Sequence, residues 1–212
     1  MTTIERKKGI LLVVSGAAGT GKGTVNAILM EKHPDEYAFS VSATTRAPRP
    51  GETDGVNYHF ISKDEFETMI KNDGLIEYTC YCGNYYGTPK SELSKLDEGK
   101  NLILEIETEG AGNIKRIFPD SVTVFILPPD YVSLRNRLVG RGTNTPEDIE
   151  NRMNKALHEF RLAESYDYTV VNADGKADEA ADAIHSIIIG EGHRSARYSG
   201  AVDRIFPESI KK

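Results

Sequence analysis

The sequence predicts an α/β fold in which helices flank a parallel sheet. Residues 10–14 are an uninterrupted apolar run, which is typical of a parallel strand buried on both faces. Residues 101–107 and 122–127 resemble this run and are expected to be strands of the same sheet. Apolar side chains at helical spacing in residues 25–29 indicate that a helix follows the first strand directly. A chain of 212 residues can bury one sizeable core, so we expect one domain with insertions.

A glycine-rich segment, residues 16–24, connects the first strand to the first helix. Its glycines let successive backbone N–H groups converge on one concavity, and the positive end of the following helix favours an anion there. Lys22 adds a mobile positive charge that can follow a phosphoryl group during transfer. The segment departs from the pattern G-x-x-x-x-G-K-[ST], because Gly23 stands where a hydroxyl would bind magnesium and Thr24 comes one residue later. We interpret residues 16–24 as a phosphate-binding loop, called the P-loop below.

The segment after the first helix predicts a smaller mixed lobe, residues 37–96. The first helix should end just before Pro34, because proline cannot continue a helix. A capping box at residues 62–65 predicts the start of a helix within the lobe. Short strands are expected at residues 37–42, 57–61 and 75–81.

Two arginines of this lobe lie on a proline-rich loop. Pro48 and Pro50 favour extended backbone in the residues before them, so the loop presents Arg46 and Arg49 without a helix. Two guanidinium groups on a stiffened loop suit a phosphate dianion. The alternative interpretation is a solvated loop with incidental charge.

Three further arginines surround a polar turn. Arg137 and Arg141 lie four residues apart on one face of a predicted helix, and Arg152 lies beside the apolar stripe of the next helix. Thr145 is a suitable N-cap for that second helix, and a proline occupies its first position. This arrangement predicts a mobile arm that closes over negative charge, and a helix pair with surface salt bridges is the alternative.

The last strand and helix are predicted at residues 168–172 and 177–189. The tail, residues 191–212, has mixed charge and no motif, and we assign it no function. Glu107 follows the strand at 101–107, at the carboxyl edge where open α/β sheets bind ligands. We therefore expect Glu107 to lie near the P-loop, unless it is simply a charged residue at a loop.

Composition excludes several classes of partner. The net charge of −6 argues against a general nucleic-acid surface, which needs a basic stripe. No apolar run approaches the roughly 20 residues of a membrane span, and the N-terminus lacks the apolar segment of a secretory signal. We therefore expect a cytoplasmic protein without nucleic-acid or membrane partners. Cys80, Cys82 and the five histidines show no ligand spacing, so no metal site built from protein side chains is predicted.

Four motifs in this order and spacing resemble guanylate kinases. They are Gly19 to Lys22, Thr44 to Arg49, Gly83 to Gly87 and Arg137 to Thr143. The resemblance covers roughly residues 8–190. It implies ATP-dependent phosphorylation of GMP to GDP by a P-loop NTPase core with an inserted GMP-binding lobe and a helical lid. The implied domain covers residues 1–190. Its core comprises residues 8–36, 97–130 and 160–190, its GMP-binding lobe residues 37–96, and its lid about residues 131–159. A tail, residues 191–212, follows the domain.

The resemblance also implies three groups of site residues. The residues that would bind ATP are Gly16, Ala17, Ala18, Gly19, Thr20, Gly21, Lys22, Gly23, Thr24 and Asn172. The residues that would hold the GMP phosphate are Arg46, Arg49, Tyr58 and Tyr86, and those around guanine are Ser42, Glu77, Gly87, Thr88 and Glu107. The implied catalytic charges are Lys22, Arg137, Arg141 and Arg152. The end of the P-loop, Gly-Lys-Gly-Thr, is similar to the corresponding loop of adenylate kinases. This similarity implies that Mg²⁺ binds together with ATP and is held by the phosphates and by water.

The chemistry of guanine agrees with this assignment. Guanine offers N1–H and an exocyclic amine as paired donors for a carboxylate, whereas adenine presents an acceptor at N1. Glu77 is the first choice for that carboxylate. Many relatives carry aspartate where this chain has Glu107, and the longer side chain of Glu107 can reach toward the base, water or magnesium.

Two other functions fit parts of the sequence. A guanylate-kinase-like interaction module keeps this fold but loses the residues that handle phosphate, whereas Lys22 and the arginine pairs are present here. A relative that phosphorylates another acceptor, such as a ribose bisphosphate kinase, would not need Glu77 or Thr88 for a purine. The intact turn at residues 84–88 favours GMP.

Overall fold

The computed structural model describes residues 8–81, 83–140 and 145–198. The strands are β1 (Leu11–Ser15), β2 (Tyr37–Phe39), β3 (Ala43–Thr44), β4 (His59–Phe60), β5 (Leu75–Tyr81), β6 (Asn84–Pro89), β7 (Asn101–Glu105), β8 (Val122–Leu127) and β9 (Tyr168–Val171). The helices are α1 (Lys22–Lys32), α2 (Lys63–Lys71), α3 (Ser94–Asp97), α4 (Thr108–Ile117), α5 (Tyr131–Gly140), α6 (Pro146–Phe160) and α7 (Ala177–Gly192). Short 3₁₀ segments cover Lys90–Leu93, Ala163–Ser165 and Ser195–Tyr198.

The core is a five-stranded sheet in the order β2-β7-β1-β8-β9, and its strands pair in parallel. β1 lies at its centre, between β7 and β8. Leu12 and Val14 pack with α1 and α7 on one face, while Leu11 and Val13 pack with α4 on the other. Both faces of β1 are therefore covered, which explains its continuous apolar run and confirms the predicted α/β fold.

A second sheet forms the lobe, in the order β4-β3-β6-β5. β5 and β6 are an antiparallel hairpin, and Phe66 of α2 is fully buried in a cluster with Ala43 and Leu75. The second sheet begins at Ala43, later than the predicted lobe boundary at residue 37. The reason is that β2 pairs with β7 in the core sheet, with Tyr37 opposite Asn101.

The chain crosses between the two sheets at two neighbouring segments. It leaves the core through residues 40–42, after β2, and returns through residues 90–97, before β7. The backbone N–H of Val41 donates to Glu92 Oε2 at 2.8 Å, and Lys95 Nζ donates to the same oxygen at 2.7 Å. Because Glu92 is only 8% exposed, its carboxylate joins the two crossings from a buried position.

The helix ends confirm several local predictions. α1 ends at Lys32, shortly before Pro34. Ser62 and Thr145 are the N-caps of α2 and α6, and each forms a capping box with the third residue of its helix. Helix α4 was not predicted, because acids and glycines dominate the start of the helix and glycine has a low helix propensity. Its stability comes from the burial of Ala111 and Ile114 rather than from helix propensity.

Helices α5 and α6 form the described part of the predicted lid. Leu134 and Leu138 of α5 pack with Ile149 and Met153 of α6, and Ala17 of the P-loop joins this cluster. Arg141, like the turn at 142–144, lies outside the described residues, as do Cys82 and the tail beyond residue 198. Within the described ranges, none of the helices has the length and apolar character needed to span a membrane.

Candidate active site

The P-loop lies at the carboxyl end of the central strand. β1 ends at Ser15 and α1 begins at Lys22, so the loop lies between the sheet and the N-terminus of a helix. Gly21 has φ 86°, in the left-handed region, and its Cα faces the side-chain amide of Asn172 so closely that a Cβ would collide with it. Thr20 Oγ1 donates to Ala17 O at 2.9 Å and closes the loop on itself.

Lys22 folds back over this loop. Its Nζ donates to Gly16 O at 2.5 Å and lies 3.4 Å from Ala17 O. The side chain is partly buried, and it lines the cavity described next. The positive charge is therefore held beside the loop backbone, where a phosphate would bind.

A cavity of about 540 Å³ opens beside the P-loop. It is lined from the P-loop, the arginine loop, the carboxyl end of β7 and one face of α6. The lining residues are Ala18, Gly19, Gly21, Lys22, Gly23, Thr24, Arg49, Glu105, Glu107, Arg152, Lys155 and Glu159. The structure thus brings most of the predicted P-loop residues together with Arg49, Arg152 and Glu107.

The cavity also contains acids and a lysine that sequence reasoning missed. Glu105 is the last residue of β7, and its Oε2 accepts a hydrogen bond from Asn26 Nδ2 at 2.9 Å. Its signal in the sequence was an acid at the carboxyl end of a parallel strand, the same rule that selected Glu107. Lys155 Nζ lies 3.1 Å from Glu107 Oε2 and 3.3 Å from Glu159 Oε1. Burial lowers the pKa of Lys155, but the two carboxylates outweigh it and raise that pKa overall.

The arginine loop is ordered by an acid, Glu52, that sequence reasoning also missed. The two terminal nitrogens of Arg46 each donate to a different oxygen of Glu52, at 2.9 Å and 2.9 Å. Glu52 Oε2 also accepts the backbone N–H of Arg49 at 2.6 Å. The hydrogen bonds with Arg46 lower the pKa of Glu52, and the same pair raises the pKa of Arg46 against the opposing effect of burial.

Aromatic side chains of the lobe surround Arg46. Its guanidinium carbon lies 5.5 Å from the ring centre of Tyr58 and 5.7 Å from that of Phe60. The rings of Tyr58 and Tyr86 meet edge to face at 6.1 Å, and a hydrogen bond with Tyr86 contributes to the raised pKa of Arg46. The predicted phosphate-holding residues Arg46, Tyr58 and Tyr86 therefore form one cluster.

Glu77 lies in β5, opposite Thr88 of β6. Thr88 Oγ1 donates to Glu77 Oε1 at 2.9 Å, and Thr88 is fully buried. Gly110 of α4 lies against the other carboxylate oxygen, because a Cβ on Gly110 would be 3.2 Å from Glu77 Oε2. Burial raises the pKa of Glu77, while hydrogen bonds from Thr88 act in the opposite direction. Gly87, beside Thr88, is also buried.

Two other predicted guanine-side residues hydrogen-bond to different partners. Ser42 precedes β3, and its backbone carbonyl accepts the N–H of His59 at 2.8 Å. Glu107 is exposed at the N-terminus of α4, where its carboxylate contacts Lys155. Glu107 thus lies at the rim of the cavity rather than in the hydrogen-bonded pair of Glu77 and Thr88.

Arg137 contacts the P-loop backbone and is not among the residues that line the cavity. Its Nη1 donates to Thr20 O at 3.3 Å, and its Nη2 donates to Asn172 O at 2.8 Å. Asp174, which sequence reasoning did not select, accepts from Nε at 3.0 Å and from Nη2 at 2.6 Å. Asn172 Nδ2 also donates to Thr20 O, at 2.8 Å. Arg137, Asn172 and Asp174 therefore support the P-loop at its end next to α1.

Comparisons with known proteins extend over both sheets. A family model described as Guanylate kinase matches residues 8–191. The chain is 50% identical over 193 residues to a guanylate kinase of Lactococcus lactis subsp. lactis, covering 91% of this chain and 93% of that protein. It is 49% identical over 189 residues to a guanylate kinase of Halalkalibacterium halodurans, covering 89% and 91%. A crystal structure of guanylate kinase from Anaplasma phagocytophilum is similar, with a TM-score of 0.75, 30% identity and coverage of 97% of this chain and 99% of that chain.

Proposed function

This chain belongs to the guanylate kinase family, and from that premise we propose how its residues phosphorylate GMP to GDP with ATP. The observation that supports the proposal is a cavity lined by residues of both the core and the lobe. The core contributes the P-loop to this cavity and the lobe contributes Arg49, while β5 of the lobe carries a partly buried carboxylate, Glu77. Transfer from ATP to GMP needs a site where the phosphates of both nucleotides meet, and selection of GMP needs a group that recognises its base.

The P-loop would bind the phosphates of ATP. Its backbone N–H groups and the N-terminus of α1 supply positive potential, and Lys22 supplies a full charge that can follow the transferring group. Arg152, on the same side of the cavity as Lys155, adds charge from α6. Arg137 would act from the P-loop side, through the backbone of Thr20. Catalysis then consists of alignment and charge neutralisation.

The arginine loop would hold the phosphate of GMP. Glu52 occupies the Nη1 and Nη2 edge of Arg46, so the GMP phosphate would bind at the Nε edge. Arg49 lines the cavity, and the hydroxyl-bearing rings of Tyr58 and Tyr86 flank Arg46. The attacking atom is a phosphate oxygen whose second pKa is about 6, so it is largely deprotonated at neutral pH and needs no strong general base.

Glu77 would select guanine. Its carboxylate is fixed by Thr88 on one oxygen and packed against Gly110 on the other, so it cannot turn away from a mismatched base without breaking those contacts. Guanine pairs two donors with a carboxylate, whereas adenine would set its N1 acceptor against it. A buried polar group left unpaired in this way can reject the wrong substrate by about 10⁴ or more.

The donor set beside the P-loop fits magnesium. Hard cations prefer oxygen ligands, and the cavity places the hydroxyl-bearing Thr24 and the carboxylates of Glu105 and Glu107 beside the phosphate site. Glu105, fixed by Asn26, is the residue we expect to hold the ion through water. Magnesium bound with ATP would neutralise charge on the phosphates during transfer.

Steady-state kinetics of Glu77→Gln test the proposal. This change keeps the shape of the side chain but replaces one acceptor oxygen with a donor. We expect a higher KM for GMP and a smaller preference for GMP over AMP, while the KM for ATP changes little. Lys22→Met is the matched control, because loss of the P-loop charge should lower kcat for any acceptor without altering the GMP-to-AMP ratio. An unchanged GMP KM and an unchanged ratio in Glu77→Gln would show that another group reads the base.

A further inference from the structure

Two histidines and a glutamate meet at the end of α1 that is remote from the P-loop. His33 is the C-cap of α1, Glu36 lies in the turn that follows, and His185 lies on α7. α1 has eleven residues, so at about 1.5 Å each it separates His33 from the P-loop by roughly 16 Å. None of the three lines the active-site cavity. The cluster is therefore separate from the site described above.

The three side chains are close enough to share a ligand. One candidate ligand atom from each residue lies within 4.8 Å of the others. The imidazole rings of His33 and His185 stack with centroids 3.6 Å apart and planes 11° apart, and His33 Nδ1 lies 3.2 Å from Glu36 Oε1. From this geometry we propose that His33, Glu36 and His185 form a site for a divalent transition-metal ion of the zinc class. The proposal is independent of the kinase function.

The ligand set suits such an ion. Two imidazoles and one carboxylate, with water as a fourth ligand, is a known zinc arrangement. Zn–N distances of about 2.0–2.1 Å require ligand atoms roughly 3.3 Å apart in a tetrahedral site. The rings of His33 and His185 must therefore turn out of their parallel stacking so that the ion can lie in the plane of each ring. His33 and His185 are partly buried and Glu36 is exposed, which gives the ion an entry path from solvent.

A hydrogen bond to a core residue already orients the ring of His185. The hydroxyl of Tyr37 hydrogen-bonds to His185 Nδ1 at 3.0 Å, and Tyr37 is 1% exposed in the core. A partner on one ring nitrogen fixes the ring and directs the other nitrogen, Nε2, to the metal. Tyr37 thus has the position of the outer partner that metal-binding histidines commonly have.

The surrounding charge does not oppose a cation. Lys32 precedes His33, but its Nζ lies 2.8 Å from Asp182 and 3.3 Å from Asp178 on α7. These two carboxylates offset the charge of Lys32 at the α1–α7 contact. A bound metal would add a second link between α1 and α7, and it would stabilise the folded protein according to its affinity.

Isothermal titration with Zn²⁺ alone, on protein freed of metal by chelation and without nucleotide, tests the proposal. We expect one Zn²⁺ per chain, and a rise of several degrees in the thermal midpoint at saturation. His185→Gln should weaken binding by at least about 100-fold and abolish the rise in midpoint.

His158→Gln is the matched control, since His158 is exposed on α6, and it should bind Zn²⁺ like the wild type. Glu36→Gln is a second test, in case a change of histidine disturbs the fold. Because Glu36 is a surface residue, this variant should not lower the thermal midpoint of the metal-free protein. It should weaken Zn²⁺ binding by about tenfold or more. Failure of the wild type to bind Zn²⁺ at 100 µM (roughly the weak limit for a three-ligand site), or equal binding by the wild type and Glu36→Gln, would overturn the proposal.

Discussion

At the scale of single residues, hydrogen-bonding side chains position the charged groups of the site. Glu52 holds Arg46, Asp174 holds Arg137, and Asn26 holds Glu105. Each of these partners aligns a charged side chain before a substrate arrives. Such preorganisation reduces the reorganisation that the reaction itself would otherwise require.

We expect Glu52→Gln to raise the KM for GMP by about tenfold or more, because Arg46 loses a charge-assisted bidentate partner. The KM for ATP should change little, since Glu52 is not among the residues that line the ATP-side cavity. Glu67→Gln removes an exposed acid from the same lobe and serves as the control. If Glu52 instead competes with the phosphate for Arg46, the KM for GMP will fall.

A second prediction concerns the partly buried carboxylate of Glu77. Burial raises its pKa, so the folded state holds its proton to higher pH than the unfolded state does. The stability contributed by this proton is present at low pH, below the unfolded value of about 4.3, and is lost as pH rises through the folded pKa. Without GMP, Glu77→Gln should therefore be more stable than the wild type at neutral pH, and the difference should shrink toward pH 4. Thermal unfolding of both proteins across this range measures it, and a difference in stability that stays constant with pH would contradict the prediction.

At the scale of elements, helix caps fix the boundaries of α2 and α6. Glu65 N–H donates to Ser62 Oγ, and Ser62 N–H donates to Glu65 Oε2 at 2.8 Å. Ser62→Ala should cost about 1 kcal/mol, which is roughly 2–4 °C in the midpoint for a protein of this size. Ser186→Ala is the control, because the Ser186 hydroxyl bonds only locally to Asp182 O within α7 and alanine is a better helix former. Equal midpoints for the two variants would contradict a stabilising role for the cap.

Local signals explain which elements were predictable. The loop between β1 and α1, the caps at Ser62 and Thr145 and the end of α1 are determined by neighbours in the sequence, and the structure has these elements as predicted. Glu52 was missed because its bidentate contact with Arg46 depends on how the intervening turn folds. The histidine cluster was missed because His33 and His185 meet only through the packing of α1 on α7. Sequence spacing does not show contacts of that kind.

At the scale of the whole molecule, positive charges from separate segments converge on one cavity. Lys22, Arg49 and Arg152 come from the P-loop, the lobe and α6. Like charges on different segments favour separation until anions bind between them. We expect both substrates together to bring the lobe and the lid toward the core, which also keeps water from accepting the phosphoryl group.

Small-angle scattering with a bisubstrate analogue, two nucleosides joined through phosphates, measures this closure. The radius of gyration should fall on binding, whereas GMP alone should produce a smaller change because it reaches only part of the site. Identical scattering profiles for the free protein and the analogue complex would rule out closure on this scale.

The two crossings between the sheets have an evolutionary consequence. Residues 43–89 form a sheet of their own, and the buried Glu92 secures the segments by which it leaves and rejoins the core. We expect the predicted acceptor-binding residues in this part of the chain to tolerate substitution without disturbing a strand of the core sheet. We therefore expect acceptor specificity to be changed, by evolution or by engineering, through substitutions in the lobe and in the facing first turn of α4, while the P-loop and the core sheet are inherited unchanged.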